Sequence, residues 1–396
     1  MAGPSSQPLK LMFVAGEHSA DQHASRLISI LKRQVSDLEC FGYGGKAMES
    51  AGMRLEFDLA SGFPIIGITQ ALYHYPQLKQ LFRQACALLE SKRPDALVLV
   101  DYPGFNLRLA QQAARLGIPV IYYIAPQVWA WHYSRIEILK RAVSLLLVIF
   151  PFEETLFREA GIETYFVGHP LLDAPSPTRT KAQVCQWLGF KPDATLIGLL
   201  PGSRRSEWEY HLRPLLDAAG TIAKHIPSAA FVIPKAHTVD DTIVAQAMRA
   251  RRHFPIAVAL EDHASVRGAL DFAICKSGTS TLELALAGVP QIVIYRVSWL
   301  TYLFARTVVR TPWISLVNIV AGREVVPELL QHEVVGPKIA AKALDILLSP
   351  QRLAAMRSEY ERIRQSFGKP GSAARAVERI IEFLDKRRVK PVVISP

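Results

Sequence analysis

The stretch Ala273–Pro290, AICKSGTSTLELALAGVP, joins small polar residues to an abrupt change of pattern. An apolar run, Phe272–Cys275, stops at Lys276. Ser277-Gly278-Thr279 make a small-residue turn, and Leu282, Leu284, Ala285 and Leu286 follow with helical spacing up to Gly288-Val289-Pro290. That order spells strand, turn, helix and stop. Small side chains at the turn let a ligand approach the backbone, and a new helix offers unpaired N–H groups carrying a partial positive charge. A diphosphate suits such a place, and Glu283, one turn in, can accept hydrogen bonds from a ribose. The same letters, Ser280-Thr-Leu-Glu283, also spell a capping box, which would reserve the glutamate for the helix itself. A second turn of this kind, Pro201-Gly202-Ser203-Arg204, directly follows another apolar strand and tips the balance toward phosphate.

The other chemistry-bearing position is Asp101. Residues 96–106, ALVLVDYPGFN, read as a β-branched, fully buried strand that ends on this aspartate. A carboxylate at the tip of a central strand faces the ligand edge, because leaving it unpaired in the core would carry a heavy desolvation cost. It is the best general-base candidate in the chain. Its competing role is to cap the next helix, a job for which Asn106 is a rival. Glu17 and Ser19 stand in a similar loop, Gly16–Asp21, after the strand 9–16, although acidic residues there are also ordinary helix-start charges.

The elements that must hold these residues fit two α/β domains: 396 residues are too many for one comfortable core. Half the residues are hydrophobic and 20% are charged, a globular composition. Cys40, Cys86, Cys185 and Cys275 are scattered, with no paired spacing, and read as reduced thiols without a zinc site. The beginning of the chain lacks the pattern of a signal peptide. The longest apolar run, Val143–Phe152, is far short of the roughly 20 residues a spanning helix needs. The net charge of +11 suits nucleic acid, anionic headgroups or phosphorylated substrates. No aromatic–basic RNA-binding motif accompanies it, so nucleic acid is the weaker choice.

Strand–helix alternation runs to Tyr165–Pro170, pauses in a Pro-rich stretch after Pro170, and restarts at Thr195–Leu200. Two segments stand apart. Residues 63–83 carry Ile65, Ile66, Ile68, Leu72, Tyr73, Tyr75, Leu78, Leu81 and Phe82, fringed by Lys79 and Arg83. This describes either an interfacial element that dips into a bilayer or a core-facing helix. The loop at 126–132 holds Trp129 and Trp131, a platform for a sugar or acyl chain or a wedge between domains. Asn318, in an apolar loop, either binds a ligand or satisfies a turn.

Taken in order, the stretches VAGEHSAD (14–21), VDYPGFN (100–106), APQVWAW (125–131), IFPFE (149–153), FVGHPLLD (166–173), LLPGSR (199–204), SGTSTLE (277–283) and VNIVAGREVVPELLQ (317–331) resemble the lipid-A-disaccharide synthase family over roughly residues 9–388. The resemblance implies a GT-B glycosyltransferase: two Rossmann-like domains facing across a cleft, residues 1–170 for acceptor and membrane docking and 171–349 for the UDP-sugar. Residues from about 350 to 396 would return to pack on the first domain, and the family can exchange these parts in a homodimer. The reaction implied is inverting transfer of 2,3-diacylglucosamine from UDP-2,3-diacylglucosamine to the 6-hydroxyl of lipid X, without metal or cofactor, at the inner face of the cytoplasmic membrane. Asp101 would take the acceptor proton and Arg204 would neutralise the UDP leaving group. Ser277, Gly278, Thr279 and Glu283 would hold the nucleotide, Asn318 would assist near the donor, and Glu17 and Ser19 would line the facing wall. The resemblance also favours membrane docking for Ile65, Ile66, Ile68, Leu72, Tyr73 and Tyr75.

The chain departs from the family pattern at Ala20, where a glycine is usual, at His132 for arginine, at Val317 for proline, and at Gln70 in the membrane segment. These departures bear on acyl-chain preference and acceptor geometry. They also leave open a catalytically silent paralogue that binds UDP-sugar or lipid, beside a UDP-sugar epimerase or hydrolase on the same fold.

Overall fold

A computed structural model describes residues 8–62, 68–129, 134–235, 245, 249, 253–299, 301–303 and 311–388. The chain divides into two compact units, residues 1–173 with 367–396, and residues 174–366.

The first unit is built on a parallel sheet of β1 (Leu9–Ala15), β2 (Leu38–Gly44), β3 (Arg54–Asp58), β4 (Ala96–Val100), β5 (Val120–Tyr123), β6 (Leu145–Val148) and β7 (Thr164–Phe166). The spatial order is β3-β2-β1-β4-β5-β6-β7. Strands buried on both faces read as unbroken apolar runs, as Leu97-Val98-Leu99-Val100 does, and alternate residues feed two cores. Met12, Val14, Leu97 and Leu99 face α4 (Ile68–Lys92) and α5 (Pro103–Arg115). Leu11, Phe13, Val98 and Val100 face α1 (His18–Gln34) and the helix that ends the described chain, Ser372–Arg388. The short helices α2 (Lys46–Ser50) and α3 (Leu59–Gly62), with α6 (Arg135–Ala142) and α7 (Pro151–Glu159), fill the remaining crossovers.

The strand order reverses between β1 and β4. Their register pairs Val14 with Leu99 and Ala15 with Val100, so both strands end level. Gly16–Ser19 and Asp101 are delivered to one edge, at the switch point where open α/β sheets bind ligands.

The second unit repeats the plan. After α8 (Lys181–Trp187) come β8 (Thr195–Leu200), α9 (Arg205–His225), β9 (Ala229–Pro234), β10 (Ile256–Ala259), α10 (His263–Ala269), β11 (Phe272–Lys276), α11 (Thr279–Leu286) and β12 (Gln291–Tyr295). Then follow α12 (Leu316–Ala321), β13 (Glu328–Leu330), α13 (Gly336–Leu347) and α14 (Pro350–Ser366). Its sheet is parallel in the order β10-β9-β8-β11-β12-β13. The switch point lies between β8 and β11, whose ends are level because Cys275 pairs with Leu200. The two small-residue turns singled out in the sequence are therefore neighbours by topology.

One boundary differs from expectation. Helix α14 packs on α11, α12 and α13, so residues 350–366 stay with the second unit and the chain rejoins the first at Phe367. The reason is its apolar stripe, Met356, Tyr360 and Ile363, which is buried, while Arg364 donates to the Leu286 carbonyl at the end of α11. The last helix, α15 (Ser372–Arg388), turns Ala376, Val377, Ile380, Phe383 and Leu384 onto the first sheet. Asp173 clamps its start, accepting from the Gly371 and Ser372 amides and from the Ser372 hydroxyl, the last at 2.7 Å.

The interfacial segment is answered only in part. Ile65 and Ile66 lie outside the described residues. Ile68, Leu72, Tyr73 and Tyr75 stand on α4, whose backbone is described there. Further along that helix Leu81, Ala85 and Leu89 are buried against the sheet and Phe82 meets Phe105 edge to face, so Leu81 and Phe82 belong to the core-facing reading. Among the described residues no helix is long and apolar enough to cross a membrane.

Candidate functional site

At the first switch point the backbone turns sharply. Asp101 and Tyr102 both take positive φ, +48° and +50°, a left-handed conformation that costs non-glycine residues about 1–3 kcal/mol each. The surroundings hold them there. Asn106, fully buried, sends its amide N–H groups to the carbonyls of Asp101 (2.7 Å), Val100 (3.3 Å) and Val14 (3.5 Å). The Tyr122 hydroxyl donates to the same Asp101 carbonyl at 2.6 Å. Neither Asp101 nor Asn106 caps α5: the cap residue is Tyr102, with Pro103 opening the helix. Asn106 instead ties the ends of β1 and β4 together. Gly16 is required by the same packing, since a Cβ there would fall 2.1 Å from the Tyr102 ring.

The Asp101 carboxyl is thus held by its backbone and left to titrate. Burial, reinforced by repulsion from Glu17, raises its pKa to about 6, and the Tyr102 amide offsets only part of this. Glu17 and Ser19 are exposed in the loop after β1 and the first turn of α1, and Glu17 makes no side-chain cap on α1. Ala20, at the departure from the family pattern, is buried in the α1 core. Asp21 serves the framework. Its oxygens accept from the amides of Gly45 (2.9 Å), Met48 (3.0 Å) and Ala47 (3.1 Å), closing the start of α2.

At the second switch point the two turns differ. The turn after β8 is already filled. Glu207 swings back from α9 and accepts from the amides of Ser203 (2.8 Å) and Arg204 (3.2 Å), the groups a phosphate would have used. Gly202, at φ +124°, leaves room for it, since a Cβ would lie 2.2 Å from the carboxylate. Burial alone would raise the Glu207 pKa, but the Lys276 ammonium at 2.8 Å, the Ser203 amide and Arg204 outweigh it and the pKa is lowered. Pro201–Arg204 is therefore no open phosphate cradle, and Arg204 offers its guanidinium, half-exposed and 3.8 Å from Glu207.

The turn after β11 is open. Helix α11 begins at Thr279 with Gly278 as its cap residue and no side-chain cap, so the capping-box reading of Ser280–Glu283 does not hold. Glu283 faces Arg267 at 3.7 Å instead. Ser277 is buried and committed: its amide donates to Ile294 and its hydroxyl donates to the Ile314 carbonyl at 2.6 Å. Ile314 and Ser315 in turn donate their amides to Glu328, which also receives the Asn318 amide at 2.8 Å. The Asn318 oxygen accepts from Val325 (2.7 Å) and Val326 (2.9 Å) and its nitrogen donates also to Val326 (2.8 Å). Asn318 is fully buried and satisfied, so it braces the turn rather than presenting an amide to a ligand.

Several residues of this neighbourhood escape a reading by motif. Lys276 reaches Glu207 from the end of β11 and lies over the Tyr295 ring, 5.4 Å from its centroid. His211, buried, donates Nδ1–H to the Glu207 carbonyl and accepts from the Arg296 amide at Nε2, and burial lowers its pKa to about 4. A pattern signal existed for Glu207 alone: an acidic residue in the first turn of a helix is a helix-start signature. In the first unit Trp129 donates its indole N–H to the buried Glu153 at 2.9 Å and packs edge-on against Phe152, an anchored placement. Burial raises Glu153 to about 7. Trp131 and His132 lie outside the described residues. His169 stacks on Phe367, and burial lowers its pKa to about 3, so the GHPLLD stretch serves to receive the returning chain.

Comparison with known proteins meets this geometry from outside. A family model described as lipid-A-disaccharide synthetase matches residues 11–379. A lipid-A-disaccharide synthase of Syntrophus aciditrophicus is 38% identical over 95% of this chain and 98% of its own length. One from Myxococcus xanthus is 37% identical over 97% and 100%. Among solved structures, the calicheamicin glycosyltransferase CalG4 superposes with a TM-score of 0.61 at 16% identity, covering 98% of this chain and 100% of its own. A UDP-GlcNAc 2-epimerase from Neisseria meningitidis gives 0.57 at 11% identity, covering 95% and 99%. These structures share the two-domain Rossmann-like plan; at such identities they speak for the fold alone.

Proposed function

The chain belongs to the lipid-A-disaccharide synthetase family, and from that premise we propose how its own residues carry out the transfer. It is a hexosyltransferase of lipid A biosynthesis that takes a UDP-sugar donor and a sugar acceptor. The donor is UDP-2,3-diacylglucosamine and the acceptor is 2,3-diacylglucosamine 1-phosphate, lipid X. The products are the β-1,6-linked tetraacyl disaccharide 1-phosphate and UDP.

Asp101 accepts the proton of the acceptor 6-hydroxyl as that oxygen attacks the anomeric carbon. The bond from this carbon to the diphosphate oxygen breaks on the opposite face, which inverts the centre. The observation that carries this assignment is a carboxyl with a pKa raised to about 6, fixed by a strained backbone at a sheet switch point. Such a base is ionised at neutral pH yet basic enough to take a proton. Glu17 and Ser19 line the acceptor's approach. The diphosphate sits on the open start of α11 at Gly278 and Thr279, and Glu283 takes the ribose. Arg204 meets the charge that grows on the departing UDP. Ser277 and Asn318 act by positioning, since their hydrogen bonds shape the turn.

Both substrates carry acyl chains, and the protein works docked on the inner face of the cytoplasmic membrane. Ile65, Ile66, Ile68, Leu72, Tyr73 and Tyr75 enter the interface, and the net charge of +11 favours an anionic surface. A homodimer belongs to the same reading.

The test is UDP release from UDP-2,3-diacylglucosamine in detergent micelles, with and without lipid X, in the presence of EDTA. Release that needs lipid X, withstands EDTA and vanishes in Asp101→Ala is expected. Equal release without acceptor would turn the reading toward a hydrolase or epimerase. Bound UDP with no turnover would turn it toward a silent paralogue.

A further inference from the structure

Lys276 has no part in the transfer as assigned to Asp101 and Arg204, yet its ammonium occupies the space shared by the two turns of the second switch point. It lies 2.8 Å from Glu207, which closes the turn after β8. It is also the nearest group to the position a Cβ would take on Gly278, at 3.6 Å, beside the open start of α11. The side chain is 15% exposed, with the Tyr295 ring as one wall. Glu207 supplies a single negative charge, while Lys276 at 2.8 Å and Arg204 at 3.8 Å both face its Oε1 atom. The two turns therefore hold one cation more than Glu207 neutralises.

We propose that Lys276 is a second cation for the donor diphosphate, held beside Gly278 by Glu207 and Tyr295 so that it contacts the phosphate group seated on the start of α11. The inference rests on the assignment of that turn as the donor site. It also gives the filled turn after β8 a purpose. With its amides taken by Glu207, that turn does not compete for phosphate, and the carboxylate aims the lysine at the neighbouring turn. UDP carries one more negative charge than the sugar nucleotide it leaves, so a fixed ammonium stabilises the leaving group more than the bound donor.

Equilibrium binding of UDP and of uridine by the full chain tests this, in wild type, Lys276→Met, Lys276→Arg, Glu207→Gln and the Lys276→Met/Glu207→Gln double variant. Lys276→Met is expected to weaken UDP roughly tenfold, the loss of one charge-assisted contact, with uridine unchanged. Lys276→Arg should recover most of the affinity. Starting from Glu207→Gln, removing the lysine should again cost about tenfold. If it costs nothing in that background, Lys276 only neutralises Glu207 and the proposal falls. Equal losses for UDP and uridine, or none for either, would overturn it as well. Wild type that binds no UDP would sink the donor-site assignment itself, an outcome separate from the others.

Discussion

Asp101 and Glu207 each stand beside the switch point of their own sheet, Asp101 at the tip of β4 and Glu207 on the helix that follows β8, and their environments push them in opposite directions. Asp101 has burial and a like charge, Glu17, and its pKa rises to about 6. Glu207 is partly buried, but an ammonium, two amides and a guanidinium surround it, and its pKa falls. One carboxylate is left able to take a proton; the other is made more acidic by its neighbours and organises cations. On the proposed reading, the same side-chain chemistry serves transfer in the first unit and binding in the second. The deciding difference is the sign of the neighbours, since both groups are desolvated.

The comparison breaks most visibly at Asp101. Asp101→Asn keeps the shape and removes the base, and kcat should drop by about 10³-fold, within the span of general-base contributions, while UDP affinity holds. A comparable loss of UDP affinity, read by equilibrium binding, would show that the carboxylate serves the nucleotide instead. Glu207→Gln should do the reverse: thermal unfolding should reveal about 1–2 kcal/mol of lost stability, because Lys276 loses its partner in a mostly buried pair. UDP affinity should change by less than the roughly tenfold expected for Lys276→Met, because the uncovered charge and the loosened hold on the lysine oppose each other.

A gentler probe is pH. If Asp101 is the base, kcat/KM should fall tenfold per unit below about pH 6 as the carboxyl is protonated. Glu17→Gln removes the like charge, so this acidic limb should move to lower pH, by a few tenths of a unit to about one. A limb that stays in place would mean that burial alone sets the value. The smallest effect belongs to Ser277→Ala, about 1 kcal/mol of stability for one lost hydrogen bond. UDP binding should survive it, because the hydroxyl is spent on the Ile314 carbonyl.

The sheets and their ligand edges were legible because parallel strands buried on both faces leave unbroken apolar runs, and each run ends in a turn. The place of Asp101 at a strand tip was legible for the same reason: a charge at the end of such a run has few places to go. What escaped involved pairs distant in the chain. Nothing local ties Lys276 to Glu207, or Asn318 to Glu328 and through it to Ile314 and Ser277. Ser280–Glu283 has the letters of a capping box, whereas glutamates that do turn back on their helix starts stand at Glu153 and Glu207. Glu283 has Arg267 from α10 beside it, an attraction no local pattern records. The sequence pattern ends the second unit at about 349 rather than at Ser366, because α14 and α15 are both helical and rich in charge. Only the depth of the stripe separates them: three buried residues on the one, a full face on the other.

The Asp173 clamp and α15 have a consequence for the newborn chain. On the ribosome the seven strands of the first sheet emerge early, yet the helix that covers one of their faces is encoded after the whole of residues 174–366. At about 5–20 residues per second the uncovered face waits roughly 10–40 seconds. During that interval Leu11, Phe13, Val98 and Val100 lack part of their cover, and the second unit is able to finish first. A polypeptide released near residue 366 would carry every proposed site residue and still present a greasy, half-covered sheet to the chaperones.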